Sequence, residues 1–137
     1  MYLVDTSVWI DYFRNHIGPE VDSFIRIIKE EIPFGITSVI YQEILQGAAS
    51  KKDFNRLIKY LETQRFFHPK NPILTYADAA KLYFNCRKNG NTIRSTIDCF
   101  IAQIAIEHNL ILLHKDKDYL HIKKANAQLK LYDVNCH

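Results

Sequence analysis

Apolar and polar positions follow two rhythms along this chain. Short unbroken apolar runs, YLV near the N-terminus and LILL at 110–113, have the continuity of strands buried on both faces. Elsewhere apolar residues recur at three- and four-residue intervals, as in Val21, Phe24, Ile25 and Ile28, which is the stripe of an amphipathic helix. The pattern predicts strands at Tyr2 to Val4, Phe34 to Ile36, Arg65 to Phe67, Leu110 to Leu113 and Leu129 to Val134. It predicts helices over Glu20 to Glu31, Val39 to Gln46, Phe54 to Thr63, Ala77 to Arg87 and Ile97 to His108. Thr37 and Ser38 read as a helix start, Gly47 as a stop and HPKNP as a turn. Strands alternating with helices imply an α/β fold with a parallel sheet covered on both faces, and such sheets bind ligands outside the carboxyl ends of their strands.

Composition narrows the class. A chain of 137 residues with 47% hydrophobic and 24% charged side chains fits one folded domain spanning 1–137 and excludes a disordered chain. Eighteen basic against fifteen acidic residues leave +3, a charge that permits a nucleic-acid partner without requiring one. Cys86, Cys99 and Cys136 are odd in number and lack C-x-x-C spacing, which argues against a disulfide framework or a zinc knuckle and suits a reducing cytoplasm. Met1 leads straight into the first apolar run, so no signal peptide is expected, and no stretch has membrane-spanning length.

Four acids stand out against this background. Asp5 ends the first apolar run in MYLVDTSVWIDYF, where a charge is costly to desolvate without a partner. Its alternative reading is a cap on the helix that begins near Ser7. Glu43 shares a helical stripe with Val39, Ile40, Ile44 and Gly47, so its carboxylate points to the margin of the core to meet a cation or a hydrogen-bond donor, with an Arg or Lys partner as the structural alternative. Asp98 begins the helix striped by Ile97, Ile101, Ile104 and Ala105, and with Ser95 it also fits a capping box. The helix dipole at that position favours its ionised form. Asp116 follows the apolar strand at its carboxyl end, whereas Asp118 reads as a solvated loop position capping a short helix with Tyr119 and Leu120. Several such carboxylates in one place would raise one another's pKa unless a divalent cation neutralised them. An all-oxygen set suits Mg²⁺ or Mn²⁺ and disfavours zinc.

The stretches VDTSVWIDYF, YQEILQGA, IRSTIDCFIAQIA and LLHKDKDYL, in that order over nearly the whole chain, resemble the PIN domain, in particular the VapC-type ribonuclease toxins of bacterial toxin–antitoxin pairs. The resemblance implies a Rossmann-like three-layer α/β/α fold with a central, mainly parallel sheet of about five strands. It implies that Asp5, Glu43, Asp98 and Asp116 form the acidic quartet holding Mg²⁺ or Mn²⁺, with Ser7, or alternatively Thr6, as the supporting polar residue. By the same resemblance the protein would be a metal-dependent endoribonuclease, a cytoplasmic homodimer silenced by a VapB-type antitoxin whose tail enters the active-site groove. RNA hydrolysis by such an enzyme would leave a 5′-phosphate and a 3′-hydroxyl. His114 stands where the family often has a small hydroxyl residue, which removes a hydroxyl contact there and leaves the ligand set intact.

Arg94, before the Asp98 helix, and Arg14, after the first motif, are candidates for phosphate contacts, each with a solvated surface role as its alternative. Lys115, Lys117, Lys123, Lys124 and Lys130 would either extend an RNA track or form a solvated face. Trp9, Ile10, Tyr12 and Phe13 are expected to pack against the core or a dimer partner rather than stack on bases, and Tyr76, Tyr83 and Phe84 likewise. Two other functions compete: a catalytically silent α/β module that binds RNA or protein, and a receiver-like regulatory domain. Retention of all four acids disfavours the first, and the helical placement of Glu43 disfavours the second.

Overall fold

The computed structural model describes residues 1–136; the side chain of Cys136 lies outside the described residues. Its centre is a parallel sheet in the order β2-β1-β3-β4, in which β1 (Tyr2–Val4) and β3 (Ile111–Leu113) are the inner strands. The outer strands are β2 (Phe34–Gly35) and β4 (Lys130–Leu131). Leu3, Val4, Leu112 and Leu113 are wholly buried, as expected for strands covered on both faces. Helices flank the sheet: α1 (Thr6–Phe13), α2 (Pro19–Lys29), α3 (Ser38–Gln46), α4 (Lys51–Leu61), α5 (Pro72–Lys88), α6 (Thr96–Glu107) and α7 (Asp118–Ala125).

The sheet has four strands where about five were expected. The segment at 65–67 contributes a single parallel bridge, Ile36 to Phe66, closed by Ile36 N donating to Arg65 O (2.9 Å) and Phe67 N donating to Ile36 O (2.8 Å). Pro69 lacks an N–H and cannot extend the ladder. The bridge itself depends on Gly35, since a Cβ there would lie 2.5 Å from the Phe67 ring and 2.6 Å from the Arg65 carbonyl. The last strand is also shorter than the expected Leu129 to Val134. After Leu131 only Tyr132 N reaches Leu112 O (2.8 Å), and Asp133 then accepts from Asn135 N and turns the chain into the 3₁₀ segment Val134–Cys136.

Helix ends follow their caps. Thr37 Oγ1 accepts from Ile40 N (3.1 Å) and starts α3 where expected. Asn71 Oδ1 accepts from Ile73 N and Leu74 N with Pro72 in the first turn, so α5 begins inside the expected HPKNP turn and well before Ala77. Ser50 caps α4 through Asp53 N, which likewise starts that helix at Lys51 instead of Phe54.

Trp9 is wholly buried beside Phe24 (ring centroids 4.7 Å apart), Phe13 (5.7 Å) and Phe34 (6.0 Å), the packing role expected of it. Tyr76 and Phe84 do not join the core: they are 57% and 54% exposed, because α5 turns their side of the helix outward. Cys86 and Cys99 are free thiols in the interior, in keeping with the absence of a disulfide pattern. No helix among the described residues is long and apolar enough to cross a membrane.

Gly35→Ala is expected to lower stability by about 1–3 kcal/mol through overpacking against the Arg65 carbonyl and the Phe67 ring, read as a lower urea midpoint at unchanged slope.

Candidate functional site

Parallel pairing brings the carboxyl ends of β1 and β3 side by side, with Asp5 N donating to Leu113 O (3.0 Å). Asp5 is therefore pinned at the sheet's carboxyl edge and is only 6% exposed. Its backbone carbonyl opens α1 by accepting from Val8 N and Trp9 N, but its side chain caps nothing. The carboxylate instead accepts from two hydroxyls, Tyr119 (3.1 Å) and Ser7 (3.3 Å). Burial, partly offset by hydrogen bonds from Tyr119 and Thr6 N, pushes the Asp5 pKa up to about 6.

The other acids extend from Asp5 in a chain. Tyr119 Oη lies 3.3 Å from Asp98 Oδ1 as well, so one buried phenol spans two carboxylates. Ser95 Oγ caps α6 at Ile97 N (3.2 Å), while the Asp98 side chain turns to Tyr119 in place of the reciprocal capping-box bond. Burial, followed by repulsion from Asp5 and Asp116, pushes the Asp98 pKa up to about 7. Asp98, Asp116 and Asp118 each present one oxygen within 4.8 Å of the others. On the opposite flank, Glu43 accepts from Thr6 Oγ1 (2.6 Å) and contributes to the negative field at Asp5. Among the described residues Glu43 meets no Arg or Lys within ion-pairing distance, so the Arg or Lys pairing weighed for it is not formed and its partner is the Thr6 hydroxyl. Thr6 and Ser7 each donate a hydroxyl to a different acid, Thr6 to Glu43 and Ser7 to Asp5.

Asp118 departs from its expected role. It is 3% exposed, not a solvated loop residue, and it accepts from Arg94 N (3.1 Å) and Arg94 Nε (3.4 Å). The capping expected of it falls to Asp116, whose Oδ1 accepts from Asp118 N (2.9 Å). The reason is its partner: the Asp118 carboxylate is turned onto the Arg94 backbone N–H and guanidinium, donors supplied from 24 positions away.

The basic candidates divide. Arg94 donates from Nη2 to Asp116 Oδ1 (3.2 Å), and it lines, with Asp5, Ser7, Lys115, Asp116 and Lys117, a hollow of about 420 Å³. Arg14 sits at the far end of α1 beside Gly47 and a groove that includes Asp53, away from the acids. Lys123 and Lys130 are engaged elsewhere, on Leu129 O (2.6 Å) and Asn109 Oδ1 (2.7 Å), so the basic cluster is not one continuous track. The His114 ring packs edge-on to Tyr119 at 5.1 Å, and burial holds its pKa below the ordinary value.

Two participants escaped the sequence reading. Tyr119 carries no charge and entered only as a member of a short helix; its signal is an aromatic ring three positions after Asp116 with a hydroxyl that burial obliges to find a partner. Asp11 is 7% exposed and accepts from Lys115 Nζ (2.5 Å) and His16 Nδ1 (2.9 Å), tethering the loop that carries Asp116. Burial opposes its charge, and those two partners overcome the cost and hold its pKa below the ordinary value. Asp11 follows the buried Val8 at helical spacing, the same signal that singled out Glu43.

The donor set fits a hard divalent cation. All candidate ligands are carboxylate oxygens, the buried Asp5 at the sheet edge is met by two hydroxyls and a backbone N–H, all neutral, and like charges crowd around Asp98.

Tyr119→Phe keeps the buried ring and deletes the shared hydroxyl; a loss of about 1–3 kcal/mol is expected in chemical denaturation of the metal-free protein. Asp5 and Asp98 bind protons more tightly folded than unfolded. Between the ordinary value of 3.8 and about 7 the native state thus retains protons that the unfolded chain has released, and stability falls as pH rises through that window. Thermal unfolding in EDTA should give a lower midpoint at pH 8 than at pH 5, with a smaller difference in Asp5→Asn, and saturating Mg²⁺ should raise the pH 8 midpoint most.

Similarity to known proteins accords with this geometry. The sequence profile of the PIN domain matches residues 2–125. The VapC ribonuclease Mb1587 of Mycobacterium bovis is 32% identical over 120 residues, covering 87% of this chain and 89% of that protein, and Ribonuclease VapC11 of Mycobacterium tuberculosis matches to the same extent. In three dimensions the fold is that of a chain in VapBC-1 from nontypeable Haemophilus influenzae (TM-score 0.72, 20% identity, 98% of each chain). It is similar too to a chain of VapBC2 from Rickettsia felis, solved bound to a DNA fragment from its promoter (TM-score 0.70, 18% identity, 96% of each chain). With its profile match running from β1 through α7, this chain belongs to the PIN domain family.

Proposed function

We infer that this protein is a VapC-type ribonuclease, the toxin of a toxin–antitoxin pair, and that it cuts RNA internally with the help of Mg²⁺ or Mn²⁺. The observation that carries the reading is the gathering of Asp5, Glu43, Asp98, Asp116 and Asp118 at one edge of the parallel sheet, in a chain whose curated relatives are ribonucleases. Asp98, Asp116 and Asp118 would hold the cation, with Asp5 adjoining them across Tyr119. When bound, the metal supplies neutralisation of the phosphodiester charge and activation of water.

The chain's own residues do the remaining work. Tyr119 keeps Asp5 and Asp98 in fixed orientation, and Ser7 does the same from the other side of Asp5. Thr6 fixes Glu43 through Oε1, which leaves Oε2 to accept the proton of the attacking water. Asp116 is less suited to that task because Arg94 and Asp118 N already draw on it. Arg94 and Lys115 line the hollow and offer positive charge to the RNA phosphates. Hydrolysis leaves a 5′-phosphate and a 3′-hydroxyl.

The partners follow from the same reading. The solved chains of this fold come from VapBC complexes, which favours a VapB-type antitoxin as the silencing partner in the cytoplasm. A homodimer is favoured by the apolar groove of about 360 Å³ between α5 and α6, where the half-exposed Tyr76 stacks on Phe100 at 5.0 Å beside Val39, Tyr83 and Ile97.

Purified protein incubated with total RNA and Mg²⁺, followed by mapping of new ends, should yield discrete 5′-phosphate ends that vanish in EDTA and in Asp98→Asn. Folded, antitoxin-free protein that produces no such ends would return the acids to structural roles.

A further inference from the structure

The hollow beside the acids contains a cation of its own. Arg94 lies in the loop before α6, and its side chain reaches two different carboxylates: Nε to Asp118 Oδ2 at 3.4 Å and Nη2 to Asp116 Oδ1 at 3.2 Å. Its guanidinium thus sits on two of the three acids whose oxygens come within 4.8 Å of one another. The side chain is 70% exposed, whereas those of Asp116 and Asp118 are 29% and 5% exposed.

This arrangement is asymmetric. The acids are fixed: Asp116 by Asp118 N (2.9 Å), and Asp118 by Arg94 N (3.1 Å) and its own burial. The guanidinium itself is exposed and is held by two contacts longer than 3 Å, one exposed at Asp116 and one part-buried at Asp118, and pairs with an exposed partner are individually weak. A charge of +1 so close to the carboxylates also repels any divalent cation approaching them. The anchor that shapes the loop is the backbone N–H of Arg94, which is independent of the side chain's charge.

We propose that Arg94 is a displaceable internal counter-ion: its guanidinium neutralises Asp116 and Asp118 until a divalent cation takes over those carboxylates, and it then swings into the hollow to hold an RNA phosphate. The proposal rests on the metal-dependent nuclease reading above and adds an exchange step to it. Arg94 thereby sets the metal concentration at which the site loads and couples loading to the exposure of a phosphate-binding group. A residue serving only as a phosphate contact would not compete with the metal, and a purely structural arginine would weaken metal binding when removed.

The test is the affinity for Mn²⁺ alone, measured calorimetrically at pH 8 on the intact, antitoxin-free protein, with wild type, Arg94→Gln, Lys117→Gln and Asp98→Asn compared. Arg94→Gln keeps the backbone bond to Asp118 and removes only the charged head. It is expected to bind Mn²⁺ about 3- to 30-fold more tightly than wild type, the range set by the loss of one exposed and one part-buried ion pair to an exposed guanidinium. Lys117→Gln removes an equal charge from the rim of the same hollow without contacting the acids, and should shift the affinity by much less. In parallel, the wild-type Arg94 Nε–H resonance should move on adding saturating Mg²⁺ to the position of a solvent-exposed arginine.

Unchanged or weaker binding in Arg94→Gln, or equal tightening in Lys117→Gln, overturns the exchange. So does an Arg94 resonance that stays in place while Mg²⁺ saturates. If wild type binds Mn²⁺ and Asp98→Asn does not, those outcomes sink the Arg94 proposal alone. If no variant binds Mn²⁺, the metal-dependent reading falls with it.

Discussion

A carboxylate buried at the end of an inner strand, with two hydroxyls and a backbone N–H as its hydrogen-bond donors and no cation in contact among the described residues, is the constraint around which this molecule is arranged. Asp5 is held there by the β1–β3 pairing, and the cost of its charge rises with every neighbour that excludes water. Tyr119, Thr6 N and Ser7 lower that cost without cancelling it, and Glu43 adds to it, while Asp5 in turn raises the cost of charge on Asp98. The fold therefore spends stability to keep negative charge concentrated at one edge of the sheet. Such an arrangement is sustainable because most of the packing lies elsewhere, in the sheet interior and the aromatic cluster around Trp9.

The positive charge near this edge is distributed with some economy. Lys115 is drawn back onto Asp11, which itself is buried and also meets His16, so the loop bearing Asp116 is tied to α1 from below. Arg94 is drawn onto Asp116 and Asp118 from the other flank. Neither cation contacts Asp5 or Glu43, leaving the buried Asp5 carboxylate to hydroxyl and backbone donors. An electropositive rim around an electronegative floor suits a polyanionic substrate that must meet a divalent ion at its centre.

The site also shows how one residue type performs different work according to burial. Asp116 and Asp118 are two positions apart, and the more exposed of them caps the helix while the buried one binds the arginine loop. Asp98 shares a helix start with Ser95, yet only the serine caps. In each case the side chain with a stronger partner across the fold abandons the local bond, since a buried charge gains more from a tertiary donor than from a cap already supplied by a neighbour.

Much of this was legible in the residues. The apolar runs placed β1 and β3, the helical stripes placed the cores of α2 to α6, and strand ends in an alternating α/β pattern located Asp5 and Asp116 at the open edge of the sheet. Glu43 was legible because an acid on an inward stripe needs a reason, and Asp11, on a stripe of the same kind, was overlooked. What the sequence determined is what depends on local spacing: the strand and helix periods and a helix start such as Thr37. Only the tertiary structure decided that Tyr119 spans Asp5 and Asp98, that Asp118 is buried on Arg94 and that the segment at 65–67 makes one bridge instead of a strand. Those outcomes depend on contacts between residues separated by 20 to more than 100 positions or on close approach at Gly35. Sequence periodicity carries no information about which distant side chain will fill that space.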